Sequence, residues 1–158
     1  MTKSSRVIRV FISSPSDVHQ EREAARRVVT RVQRLYPGME LQAVLWEELA
    51  LPATASFQQT IDYLLERKPI DIAVLIFWSR LGSPLGDLIT RPDGTPYRSG
   101  TEREFDLMLA AYEQSGQQRP IILAYRRDDD ESFNSKLNSG PGEGLEEMIR
   151  QRKLVESF

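Results

Sequence analysis

The stretch Ile70 to Trp78 (IDIAVLIFW) constrains the fold most, because it is apolar nearly throughout yet too short to span a bilayer. A run of that length and character is what a central parallel strand needs when both faces of its sheet are covered. Its neighbours alternate in type. Arg6 to Ile12 is a β-branched strand pattern, and Val18, Ala25, Val28, Val29, Val32 and Leu35 then recur at helical spacing until Pro37-Gly38. Ser14, Pro15 and Asp17 have the order of a cap, a first helical residue and an acidic first turn, so the spacing predicts that this helix starts there.

Met39 to Trp46 predicts a second strand, Glu47 to Ala55 a loop, and Phe57, Ile61, Leu64 and Leu65 a second helix closed by Pro69. A long loop follows over Ser79 to Ser99, of the kind that is usually functional or mobile. The third helix expected after it turns Phe105, Met108, Leu109 and Tyr112 inward, and Pro120 to Tyr125 makes a fourth strand. Asp128 to Gly144 reads as an acidic, Gly-rich stretch beginning with a solvated turn, and Leu145 to Phe158 as a helix. That last helix lacks a stop signal, which suggests a segment excised from, or running on into, a longer protein. The alternation predicts one flavodoxin-like α/β domain, three-layered, with a parallel sheet of four to five strands in order 2-1-3-4(-5).

At 158 residues the chain is one domain's worth, and its formal charge of -2 gives no electrostatic case for a nucleic-acid or membrane partner. There is no cysteine and one histidine, His19, in the first turn of a helix. Thiolate metal sites, zinc catalysis and Ser-His or Cys-His nucleophile pairs are thereby disfavoured, and no metal is expected. No apolar signal segment opens the chain, so a cytoplasmic protein is expected. Neither G-x-x-x-x-G-K-[ST] nor G-x-G-x-x-G occurs at the first strand, and the acidic pair and aspartate of a response-regulator receiver are replaced by Ser13-Ser14 and Trp78-Ser79.

In such sheets ligands bind outside the carboxyl ends of the strands where the order reverses, here between the first and third strands. Ser13, Ser14, Trp78 and Ser79 lie there. Each has two readings. Ser13 and Ser14 can end a strand and cap a helix, or bind ribose hydroxyls and a diphosphate at the helix N-terminus. Trp46 and Trp78 can pack in the core or stack on a nucleotide ring. Glu104 closes a Thr101-x-x-Glu104 capping box, or faces the crevice as a sugar-cleaving carboxylate. Glu102 competes for either role through Ser99-x-x-Glu102. The arginines Arg22, Arg26, Arg27, Arg31 and Arg34 read as the wet face of the first helix.

Three segments carry a family resemblance: Val10-Phe11-Ile12-Ser13-Ser14 with Asp17 and Glu21-Arg22; Asp71 to Val74 leading to Trp78-Ser79-Arg80-Leu81-Gly82; and Ser99-Gly100-Thr101-Glu102-Arg103-Glu104-Phe105. Together they resemble the TIR-like domains at the N-terminus of multidomain proteins with NTPase or repeat modules. The Gly-Thr-x-x-Glu pattern is also similar to the nucleoside deoxyribosyltransferases. The resemblance implies a self-associating effector of immune defence that, in many members, hydrolyses NAD+ with one glutamate. NAD+ is then substrate rather than cofactor, and the implied partners are further copies of the chain and a fused or separate sensor module. Carried over by position, the glutamate is Glu104, Glu47 to Ala55 is the gating and assembly loop, and Ser14 and Ser79 line the pocket. With Ser13, Trp46, Trp78, Arg80 and Thr101 these two serines make up the expected nucleotide-binding set. Where TIR enzymes often carry a Trp-Cys pair before the glutamate, Gly100-Thr101 stands here.

Overall fold

The computed structural model describes residues 6–45, 69–85, 89–139 and 144–158. Strand β1 (Val7–Ser13) lies between β2 (Glu40–Leu45) and β3 (Ile72–Phe77), and β4 (Ile121–Arg126) pairs with β3 on its other side. Every pairing is parallel and the strand order is 2-1-3-4. This is the flavodoxin-like α/β architecture expected. No fifth strand follows β4 among the described residues. The segment expected to hold the second helix, Phe57 to Leu65, lies outside the described residues, as does the loop Glu47 to Ala55.

Registration sorts the apolar side chains into two layers. Val10, Ile72 and Ile121 align across the sheet, as do Ile12, Val74 and Leu123. On one face Phe11, Ala73, Leu75 and Phe77 pack with Met108 and Val155; on the other, Val10, Ile12 and Ile76 pack with Val18, Trp78 and Phe133. The run that looked like a central strand is one, with Ala73 and Leu75 at 0% and 1% exposure.

Among the described residues the α-helices are α1 (His19–Leu35), α2 (Gly100–Gln114), α3 (Asp130–Ser139) and α4 (Leu145–Glu156). Helix α1 begins later than its sequence signals indicate. The chain is still extended at Pro15, and a 3-10 turn over Ser16–Val18 leads into the helix without a side-chain cap. Ser14 is therefore not the cap. Asp17 is drawn away from the helix end, its carboxylate accepting from the backbone N–H (2.9 Å) and hydroxyl (2.8 Å) of Ser79 at the end of β3. Both hydrogen bonds fall on Oδ2, tying the carboxylate to a neighbouring strand end in place of a local cap, while Oδ1 is buried without a hydrogen-bond partner.

Two further expectations are corrected. The acidic stretch after β4 is not a solvated turn but leads into α3: Asp129 accepts from the Ser132 N–H at 3.0 Å, and Phe133 and Leu137, one turn apart, reach the core. That cap and apolar pair were the available signal. In α2, Met108 is buried as expected, but Leu109 is 38% exposed and Leu107 packs against the core in its place.

Candidate functional site

The carboxyl ends of β1 and β3 and the N-terminus of α2 converge on a cavity of about 460 Å³. The geometry of α2's first turn decides what its two glutamates can do. Ser99 is the N-cap, its hydroxyl accepting from the Glu102 N–H at 3.1 Å and donating to the Leu81 carbonyl at 3.0 Å. Glu102 folds back to accept from the Arg98 N–H at 2.6 Å and is clamped by the guanidinium groups of Arg98 (2.6 Å) and Arg91 (3.1 Å). Burial pushes its carboxyl pKa up, but hydrogen bonds and charge from Arg98 and the charge of Arg91 outweigh that and hold it below the ordinary value. Glu102 thus occupies the box position three after the Ser99 cap, its carboxylate folding back onto the backbone N–H just ahead of that cap.

Glu104 is released from that task. It is 4% exposed, lies on the cavity wall, and its Oε2 accepts a short hydrogen bond from the hydroxyl of Ser13, the fully buried last residue of β1. The first and third chain segments singled out in the sequence meet in this one contact, 91 residues apart.

Ser14, Arg80 and Thr101 also line the cavity. Ser14 is 6% exposed and accepts from the Arg22 guanidinium at 3.2 Å, which in turn contacts His19 Nδ1 at 3.1 Å. Arg22 is consequently buried rather than part of a wet helical face. The other members of the expected set stand differently. Ser79 is not on the cavity wall; it ties β3 to Asp17. Trp78 is turned into the core, 2% exposed, with its indole N–H on the Asp129 carbonyl at 3.2 Å and its ring between Arg127 (4.3 Å) and Lys136 (4.1 Å). It has no open face on which to stack a ligand ring. Trp46 lies outside the described residues.

The rest of the wall, Pro15, Ser16, Gly82, Ser83, Pro84, Leu85 and Gly100, stood outside the expected binding set, although Pro15, Gly82 and Gly100 lie in or beside the segments that carry the resemblance. The signal was the unusual length and Gly/Pro content of the loop after β3. Gly82 shows why glycine stands there. Its φ is +125°, and a Cβ would meet Ser99 Cβ and Thr101 Oγ1 at 3.2 Å, so the loop passes against the start of α2 only without a side chain. Helix α4 holds the same loop from the other side: Gln151 accepts from the Leu81 N–H at 3.1 Å, and Arg152 donates to the Trp78 carbonyl at 3.3 Å. Farther along, Arg91 bonds Asp106 at 3.1 Å and lies over Tyr97 at 4.5 Å, pinning the loop to α2.

The cavity thus presents one buried carboxylate, one guanidinium, hydroxyls of Ser14, Ser16, Ser83 and Thr101, and the amino end of a helix. That combination suits a polar ligand with hydroxyls and negative charge, and the volume lies within the range of small-molecule sites. Among the described residues, no group of three or more His, Asp or Glu side chains is placed to hold a metal ion, and no helix is long and apolar enough to cross a membrane. The sequence matches no protein-family model and no curated protein.

Proposed function

We propose that the cavity is the active site of a TIR-like NAD+ glycohydrolase domain, in which Glu104 drives cleavage of the nicotinamide–ribose bond. The observation that carries this reading is the position of Glu104: a buried carboxylate on the cavity wall, at the sheet edge where strand order reverses, with its box role taken by Glu102. Nicotinamide departs from a pyridinium as a neutral ring, so a leaving-group acid is not required and one carboxylate suffices. As the C1′–N bond breaks, the bonding pair leaves with nicotinamide and positive charge builds on the ribose. Glu104 stabilises that charge and receives the proton of the water that attacks C1′. Arg80 and the amino end of α2 face the diphosphate, and the hydroxyls of Ser14 and Thr101 face the sugar.

In this reading copies of the domain, brought together by a fused or partner sensor module, complete the site and switch on turnover as an immune-defence signal. The test is nicotinamide release from NAD+ by concentrated protein, with and without a tethering agent, beside Glu104→Gln. We expect turnover that rises on tethering and falls at least about a hundredfold in the variant, the order seen when an electrostatic stabiliser of a transition state is removed. Unchanged release in Glu104→Gln removes the glutamate from the mechanism. No release under forced assembly leaves the fold as a non-enzymatic self-association module.

A further inference from the structure

A parallel strand is ordinarily covered on both faces, and among the described residues no element covers β4 on the α1 side. Ile121, Leu123 and Tyr125 share a sheet face with Ile72, Val74 and Ile76, yet they are 55%, 38% and 55% exposed. Across from them on α1, Val28 is 58% exposed. Between the two runs an open apolar groove of about 530 Å³, walled by Ala24, Val28 and Val32 of α1 and floored by Val74, Leu123 and Tyr125. Its shape is that of a missing neighbour to α1. A helix lying beside α1 at the usual interaxial distance of about 10 Å would cover β4 and close the layer. The α1 wall runs from Glu21 to Val32, which at 1.5 Å per residue corresponds to roughly three helical turns.

Charge selects among occupants. Helix α1 carries five arginines against two glutamates in a chain whose formal charge is -2. Arg27, Arg31 and Arg34 are exposed, and among the described residues no carboxylate pairs with them. Arg126 and Arg127 line the groove's end, Arg127 being held by Glu21 at 3.0 Å and by Asp129. A second copy related by a two-fold axis would bring the same basic rims together. We propose instead that the groove docks an amphipathic helix of a partner protein, its apolar stripe on the sheet and acidic side chains along its flanks. The apolar stripe then meets the groove, and the acidic flanks meet Arg126 at its end and the exposed Arg27 and Arg31, which lie outside the groove lining but one turn apart on α1 beside Val28. The inference stands apart from the chemistry of the cavity.

The experiment uses two fluorescein-labelled peptides of roughly fourteen residues with the same leucine stripe at helical spacing, one flanked by glutamates and one by lysines. Anisotropy titrations are run against the protein, Val28→Gln and Tyr125→Gln. Both positions are more than half exposed, so the variants fold, as circular dichroism verifies. We expect the glutamate peptide to bind at least tenfold more tightly than the lysine peptide, more weakly as salt rises, and at least tenfold more weakly to either variant. Equal affinities, no binding, or indifference to both substitutions would overturn the proposal. So would a concentration-dependent dimer in sedimentation that Val28→Gln abolishes, since a second copy would then be the occupant.

Discussion

Ser13 and Glu104 show how far a single contact can redirect the reading of two residues. Either serine could have been no more than a strand end, and either glutamate no more than a cap; the hydrogen bond ties Ser13, fully buried behind the cavity wall, to Glu104 on it. A hydroxyl donating to a buried carboxylate fixes the rotamer of that carboxylate. Ser13→Ala removes the donor and leaves a buried acceptor short of one partner. We expect a stability loss of about 1–3 kcal/mol in urea unfolding and a fall in the NAD+ turnover rate with little change in KM. Full turnover in Ser13→Ala would show that Glu104 is held in place by its other contacts. That Glu104 and Glu102 would divide the two roles was open in the sequence, because Ser99-x-x-Glu102 and Thr101-x-x-Glu104 are equally good boxes. Arg91 and Arg98 decided it, and their approach to Glu102 depends on how the loop returns to the helix.

The element that shapes the cavity is the loop between β3 and α2, and Gly82 is its tightest point. Alanine there faces both an unfavourable positive φ and two atoms at 3.2 Å, one of them the Cβ of the capping serine. We expect Gly82→Ala to destabilise the protein by about 1–3 kcal/mol, read as a lower Tm, and to weaken any ligand in the cavity because the start of α2 must shift. A Tm equal to that of the parent protein would mean the loop relaxes without disturbing the cap. The loop's importance was visible as an excess of Gly and Pro, but which of its residues reach the cavity was not. Helix α3 was missed for a related reason: its acidic residues resemble a solvated turn, and only the docking of Phe133 and Leu137 under Trp78 makes a helix of them. Arg22 was misread because a helical face is wet only where nothing packs on it, and the buried Ser14 does.

For the molecule as a whole, acid is the informative perturbant. Asp129, through Arg127 and Ser132, and Glu147, through Arg150 and Gln151, are each held down to about 2, and Glu102 is also depressed. A carboxyl whose folded pKa lies below its unfolded value stabilises the fold fully above the unfolded value, and loses that contribution as pH falls through the folded one. Stability should therefore decline on acidification from about pH 5 towards pH 2. Asp129 and Glu147 sit where solvent screens them, whereas Glu102 is 2% exposed and screened least, so it contributes to the slope despite having the less marked shift. Urea midpoints measured across that range should flatten in Glu102→Gln; an unchanged slope would place the acid sensitivity elsewhere. The sequence alone determined the parallel α/β architecture, its strand order and the chain segments that meet at the ligand edge, because periodicity and turn residues are local and the handedness of crossovers is general. Only the tertiary structure decided that Trp78 packs inward, that Glu102 caps while Glu104 faces the cavity, and that among the described residues β4 is left bare beside α1. Each of those depends on which distant group arrives within a few ångströms, and that is a property of packing rather than of spacing along the chain.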